Sequence, residues 1–351
     1  VTVDPHDAAL ARYHRQRLLP GIGDDGQRRL LASTALIVGV GALGTVVAES
    51  LARAGVGTLV LIDRDVVELT NLQRQTLFDQ SDADAGTPKA VAAAARLPRI
   101  NPGVRIIPRV EHASPRTLRA ALSGHPPGVL IDCTDNFLAR YTLNDLAVSS
   151  GIPLVYAGAV ATRGLALTVL PGHTPCLRCL FPEPPPPGST PTCDTAGVLA
   201  PITGLMGNIQ AAEALKILLN RTDLSSPALL DIDLWPTRLR QIDVSASRDP
   251  ACVCCARRTF EFLDAHHDQD AATLCGTGSV QISPSRATHI DLAALHARLT
   301  PHGDFRLTPH LLRGRLTTGI RLTVFPDARA LVQGTETVDL ARAVYDRYVG
   351  A

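Results

Sequence analysis

"TALIVGVGALGTVVAESLARAGVGTLVLID" (residues 34–63) decides the fold. "TALIV" is a short continuous apolar run, the pattern of a strand buried on both faces. After Gly39-Val40-Gly41-Ala42-Leu43-Gly44, apolar residues recur at helical spacing as far as Ala54, and "VGTLVLID" is a second buried strand. Strand, helix, strand in so few residues implies a parallel pair with a right-handed crossover. Between a strand and a helix, G-x-G-x-x-G is a nucleotide loop. Its glycines allow a tight turn and let phosphate approach the N–H groups of the helix N-terminus. Asp63, 19 residues past Gly44, ends the second strand, where a carboxylate can accept from ribose hydroxyls.

The loop alone does not separate a dinucleotide from ATP. The segment that follows it does. "DRDVVELTNLQRQ" (63–75) adds a second acid, Asp65, and then Asn71, Gln73 and Arg74. Binding NAD requires no Asn-x-x-Arg after the ribose acid. Chemistry on a triphosphate requires cationic and amide donors and an acid for Mg2+. Asn71, Arg74 and Lys89 are such donors, and Asp135 in "DCTDN" ends a later strand at the carboxyl edge, where open α/β sheets bind ligands. Alone, Arg74 or Lys89 would be an ordinary solvated cation. Beside two Asp-bearing strand ends they make a set.

Further along, strand and helix patterns alternate. "PKAVAAAARLPRIN" reads as a helix, "RIIPRVEH" as a strand, "SPRTLRAALSG" as a helix, and "GVLIDCTDN" as a strand leading into the helix "FLARYTLNDLAVSSG". "IPLVYAGAVATRGLALTVLPG" switches towards antiparallel pairing. The expectation is a doubly wound, Rossmann-like α/β domain, mostly parallel with an antiparallel extension. The prolines of "FPEPPPPGSTPTCDTAG" (181–197) imply an exposed loop without regular structure. A long helix over 199–220 and one late strand within 228–244 complete the domain, taken as residues 1–262. Residues 275–351 read as a small α+β module of order β-α-β-β-α.

Lys plus Arg (34) nearly balances Asp plus Glu (33) in 351 residues, which argues against a nucleic-acid surface or a polybasic membrane anchor. No apolar run approaches the roughly 18 residues of a membrane span, and "VTVDPHDAAL" has no signal-peptide core, so the expected compartment is the cytoplasm. In such a chain clustered cysteines point to metal or thiol chemistry rather than disulfides. Cys176-x-x-Cys179 and Cys252-x-x-Cys255 can supply four thiolates to one tetrahedral Zn2+, with Cys254 a possible competitor. Cys193, just past the proline run, could attack an acyl-adenylate or take part in persulfide transfer. Cys133 reads as core and Cys275 as structural. His266 and His267 read as solvated.

"RYHRQRLLPGIG", "IVGVGALG", "AGVGTLVLIDRDVVELTNLQRQTLF", "GTPKA", "INP", "DCTDN", "PCLRCLFPEPP", "AGVLAPITGLMGNIQAAEALK" and "CVCC" occur in that order over residues 12 to about 260. Together they resemble the ThiF/MoeB family of adenylyltransferases, relatives of the ubiquitin-activating enzymes. The resemblance implies adenylation, with ATP and Mg2+, of the C-terminal Gly-Gly carboxylate of a ubiquitin-like sulfur-carrier protein. It implies that Gly39, Gly41, Ala42 and Gly44 hold the nucleotide and that Asp63 takes the ribose. Asn71, Gln73, Arg74 and Lys89 would lie along the phosphates, with Asp65 orienting Arg74 or another donor. Asp135 would hold Mg2+ with Asn136 beside it, and Arg15 would reach the neighbouring subunit's phosphates in a homodimer. The resemblance also supports the pairing of Cys176, Cys179, Cys252 and Cys255 on Zn2+. In some relatives a cysteine at the place of Cys193 is linked to the carrier, and in others it is dispensable.

Two other readings fit the same residues. One is activation of a ubiquitin-like modifier through an essential loop cysteine, for which Cys193 is the candidate in place. The other is a non-catalytic scaffold that binds ATP and a carrier, which pyrophosphate exchange would distinguish. Some relatives carry a C-terminal rhodanese domain, which needs a cysteine, and residues 276–351 contain none. The tail is expected either to help dock the carrier or to be a plain folding module.

Overall fold

A computed structural model of the chain describes residues 10–186, 189–264, 271–274, 279–282, 289–335 and 337–350. Cys275, His266 and His267 lie outside the described residues.

The first of two compact units is built on an eight-stranded sheet of order β3-β2-β1-β4-β5-β6-β7-β8. Its strands are β1 (Thr34–Val38), β2 (Thr58–Ile62), β3 (Arg105–Arg109), β4 (Val129–Asp132), β5 (Leu154–Val160), β6 (Arg163–Val169), β7 (Ala228–Asp233) and β8 (Arg238–Asp243). Strands β1 to β5 pair in parallel. From β5 to β8 the pairing is antiparallel, as the sequence predicted. The chain runs outward from β1 through β2 to β3 and then returns to place β4 on the other side of β1. The crevice at the carboxyl ends of β1 and β4 is therefore a topological switch point.

Because each strand alternates its side chains, the sheet feeds two cores. Ala35, Ile37, Leu59, Leu61, Val129 and Ile131 pack with helices α2 (Ala42–Ala54), α3 (Lys89–Ile100) and α6 (Ala200–Leu218). Leu36, Val38, Val60, Ile62 and Leu130 pack on the other face with α4 (Pro115–Gly124) and α5 (Phe137–Ser150). A further helix, α1 (Gly23–Leu31), adds Leu30 to the first core. Each fully buried Leu or Ile contributes about 1.5–3 kcal/mol relative to exposure. These two layers, on both faces of the sheet, fix its carboxyl edge. Among the described residues no helix is long and apolar enough to cross a membrane.

The late segment 228–244 forms a hairpin of two strands, not the single strand expected. Every residue of β8 is exposed, so it has no apolar period to reveal it. The proline-rich loop holds a one-turn helix, Cys193–Ala196, which contradicts the expectation of no regular structure. There Thr192 and Thr195 exchange side-chain hydrogen bonds that a proline run does not prevent.

The second unit contains the C-terminal module together with Ala85–Thr87 and Pro186–Thr195. Its sheet has the order β11-β12-β13-β14-β10-β9. The strands are β9 (Ala271–Leu274), β10 (Ser279–Ile282), β11 (Gly303–Leu307), β12 (Leu312–Leu316), β13 (Arg321–Val324) and β14 (Ala330–Gln333), with helices α7 (Leu292–Leu299) and α8 (Val338–Tyr348). The module is α+β, but the expected order β-α-β-β-α is too simple. "RLTPHLLRGRLT" and "IRLTVFPDARALVQGT" each fold back on themselves, at turns closed by Thr308 with Leu311 and by Phe325 with Arg329.

Candidate functional site

Three chain segments meet at the carboxyl edge of the sheet. The first is the glycine loop. Gly39 has φ +88°, and a Cβ there would stand 2.6 Å from the Cys133 carbonyl oxygen, so β1 and β4 can end side by side only with glycine at this position. A Cβ on Gly44 would stand 1.9 Å from the Gly39 carbonyl oxygen, so α2 can start directly on the loop. Gly41 is the N-cap of α2, and Ala42 is its first residue.

The second segment leaves β2. Asp63 is buried, and its carboxylate accepts from the Val40 N–H and the Asp65 N–H, each at 2.7 Å. It therefore braces the glycine loop as well as its own turn, and each oxygen keeps one lone pair for a ribose hydroxyl. Burial raises its pKa, and the nearby Lys89 opposes that shift. Asp65 ion-pairs with Lys89 at 3.2 Å and with Arg64 at 3.6 Å. Lys89 opens α3 and is buried, and burial alone would lower its pKa. Attraction from Asp65, Asp63 and Asp135 outweighs that and raises it, so Lys89 is a charged ammonium facing three carboxylates.

Asn71 lies in a capping box with Glu68, whose N–H donates to Asn71 Oδ1 at 3.0 Å. Arg74, half-buried, donates to the Thr70 carbonyl, and Gln73 is exposed. Gln75 was passed over in the sequence. It is 4% exposed, its Oε1 has no partner, and its Nε2 would lie 3.7 Å from a Cβ on Gly41. Only its place in a polar run hinted at it.

The third segment follows β4. Asp132 is fully buried. It accepts from Thr134 and pairs with Arg140 at 3.3 Å, and Arg140 stacks on Phe137 and Tyr156 and donates to the Thr134 carbonyl. This network fixes the turn that presents Asp135, which is exposed and within electrostatic reach of Lys89 and Arg140. Asn136 caps α5, accepting from the Ala139 N–H at 3.2 Å. Cys133 is core, as expected, with its Sγ 3.4 Å from Gln210 Oε1. Arg15 lies on the short helix His14–Arg17, exposed and without a hydrogen bond or ion pair among the described residues.

Cys176, Cys179, Cys252 and Cys255 bring their Sγ atoms within 4.8 Å of one another. Separations of 3.7 Å (176–252), 3.9 Å (176–179) and 3.4 Å (179–255) bracket the roughly 3.8 Å edge of a tetrahedron with metal–sulfur bonds of about 2.3 Å. Burial and the neighbouring sulfurs push the Cys255 thiol up to about 11. Four thiolates this close need a divalent cation to share their charge, and the donor set fits zinc. Cys193, half-buried, heads the helix Cys193–Ala196.

The ThiF family pattern matches residues 13–254. The sulfur carrier protein ThiS adenylyltransferase of Bacillus subtilis is 38% identical, over 97% of this chain and 99% of that one. The SAMP-activating enzyme E1 of Haloferax volcanii is 41% identical, over 69% of this chain and 88% of that one. Escherichia coli MccB, in a crystal structure with ATP, superposes with a TM-score of 0.59 at 22% identity, over 70% of this chain and 73% of that one, a likeness of fold. With a family match across the whole eight-stranded sheet and a relative matched almost end to end, the chain belongs to the ThiF family.

Proposed function

We propose that this chain adenylylates the C-terminal Gly-Gly carboxylate of a ubiquitin-like sulfur-carrier protein, with ATP as the second substrate. The observation that carries this reading is the charged Lys89, set among Asp63, Asp65 and Asp135 where the glycine loop meets the ends of β1 and β4. A carrier carboxylate oxygen attacks the α-phosphorus. The bond from that phosphorus to the bridging oxygen breaks, and pyrophosphate leaves with the electron pair. The attacking carboxylate is already ionised at pH 7, so no protein base is required.

The glycine loop, Ala42 and Asp63 seat the nucleotide. Asn71, Gln73, Arg74 and Lys89 donate along the phosphates, and Asp135, with Asn136 beside it, supplies a hard oxygen ligand for Mg2+. That ion would neutralise charge on the phosphates. Arg15 would complete the partner's site in a homodimer. Zn2+ would sit on Cys176, Cys179, Cys252 and Cys255 as a closed structural site, and reduced thiols of this kind suit the cytoplasm. Residues 1–262 would carry the activity, with 275–351 an accessory module.

Purified Gly-Gly-ending carriers should stimulate ATP–pyrophosphate exchange, and removal of the terminal Gly-Gly should abolish the stimulation. Exchange with no carrier would reject the reading. A second reading, activation of a protein modifier, rests on the thiol of Cys193 and on the Haloferax volcanii relative. It requires a carrier thioester that is lost in Cys193→Ala.

A further inference from the structure

Five cysteines lie in or beside the metal cluster, but only four offer their sulfurs to one point. Cys254 sits between Cys252 and Cys255 in sequence and is fully buried, yet it stands outside the set. A polar side chain from the middle of α5 accounts for this. Asn144 and Asp145 are both fully buried, in a helix buried continuously from Ala139 to Val148. Asn144 Oδ1 accepts from the Leu177 N–H, inside the first cysteine pair, at 2.8 Å. Its Nδ2 donates to Cys254 Sγ, inside the second, at 3.3 Å. Asp145 Oδ2 accepts from the Phe262 N–H, seven residues past Cys255, at 3.0 Å, and its Oδ1 has no partner among the described residues. Asn144 thus bonds to both cysteine segments and occupies the fifth sulfur.

We propose that Asn144 is a positioning residue for the metal centre, which locks the two cysteine pairs in register and holds Cys254 out of the ligand set. Burying an amide and a carboxylate in a helix that could be wholly apolar is costly unless they are bonded. Both polar atoms of Asn144 are bonded here, to the two segments that carry the ligands, and Asp145 adds one bond to the segment that follows them. Partners behind metal ligands commonly set metal affinity by roughly 10- to 100-fold.

The proposal rests on the zinc reading, and the test separates the two. Zinc is first counted in the wild-type protein, and its release to a chelating dye is timed. A wild-type chain without zinc would reject the metal reading itself. With zinc present, Asn144→Leu should speed release by roughly 10-fold or more. Leu146→Ala, which weakens the same helix but removes no hydrogen bond to either pair, should lower the melting temperature and leave release near wild type. Cys254→Ala should retain one zinc and, with Co2+ in its place, give the wild-type four-thiolate absorption bands. Asn144→Asp keeps the acceptor for Leu177 and loses the donor to Cys254, so it should fall between, and it serves if the Leu variant does not fold. Wild-type release in the folded Asn144 variants, or loss of metal in Cys254→Ala, would overturn the proposal.

Discussion

Helix α5 touches both polar centres of the molecule, and the two are built on opposite principles. At its N-terminus Asp135 is exposed and Asn136 caps the helix, so this carboxylate faces outward with capacity to spare. Two turns on, Asn144 and Asp145 are fully buried against a cysteine cluster in which Cys176 and Cys252 are 1% and 3% exposed. A site that handles a reactant needs open positions. A site that holds a fold together needs every position filled. The difference predicts that damage to the first centre removes chemistry and spares stability, and that damage to the second does the reverse.

The largest expected effect tests the open centre. Lys89→Ala and Asp135→Ala should each lower pyrophosphate exchange by about 100- to 1,000-fold, the usual consequence of removing one preorganised group that stabilises developing charge. Asp135→Ala should melt close to wild type, because the carboxylate is exposed. Lys89→Ala should also lose some stability, since it leaves the three carboxylates it faced without their cation. A change of less than threefold in exchange for either folded variant would place that residue outside the chemistry.

The closed centre should respond the other way. Cys176→Ser with Cys252→Ser removes one ligand from each pair. The expected outcome is loss of zinc by metal analysis and a lower melting temperature, with exchange at low temperature falling less than in the Asp135 variant. Full zinc retention would show that the sulfurs are not ligands. Exchange lost while melting is unchanged would erase the contrast between the two centres.

The parts legible in sequence were those with a local signature. The strand–loop–helix over 34–54, Asp63 at the end of the next strand and the switch to antiparallel pairing after β5 all come from patterns within a few residues. Both C-x-x-C pairs were legible too, though they lie 76 residues apart, because the spacing within each is itself diagnostic. What stayed hidden depends on distant partners. Asp65 meets Lys89 across 24 residues, and Asn144 meets Cys254 across 110. Asn144 reads in sequence as one more residue of a helix, and only the fold shows that it bonds to both cysteine segments. The β7–β8 hairpin stayed hidden for the opposite reason, since an edge strand exposed along its length carries no apolar alternation to read.

The smallest expected signal concerns Arg15, which is exposed and has no partner among the described residues. It belongs to the open centre only if a second chain supplies the rest of the site. In a two-fold dimer the same exchange occurs at both sites. Inactive Arg15→Ala is mixed with inactive Asp135→Ala under conditions that exchange subunits. Random pairing makes about half of the dimers mixed, and each mixed dimer regains one site of two, so roughly a quarter of wild-type exchange should return. In the restored site Asp135 comes from one chain and Arg15 from the other. If both groups act within one chain, every site in the mixture still lacks one of them. Exchange then stays at the level of the separate variants despite proven subunit mixing, and the open centre is complete within a single chain.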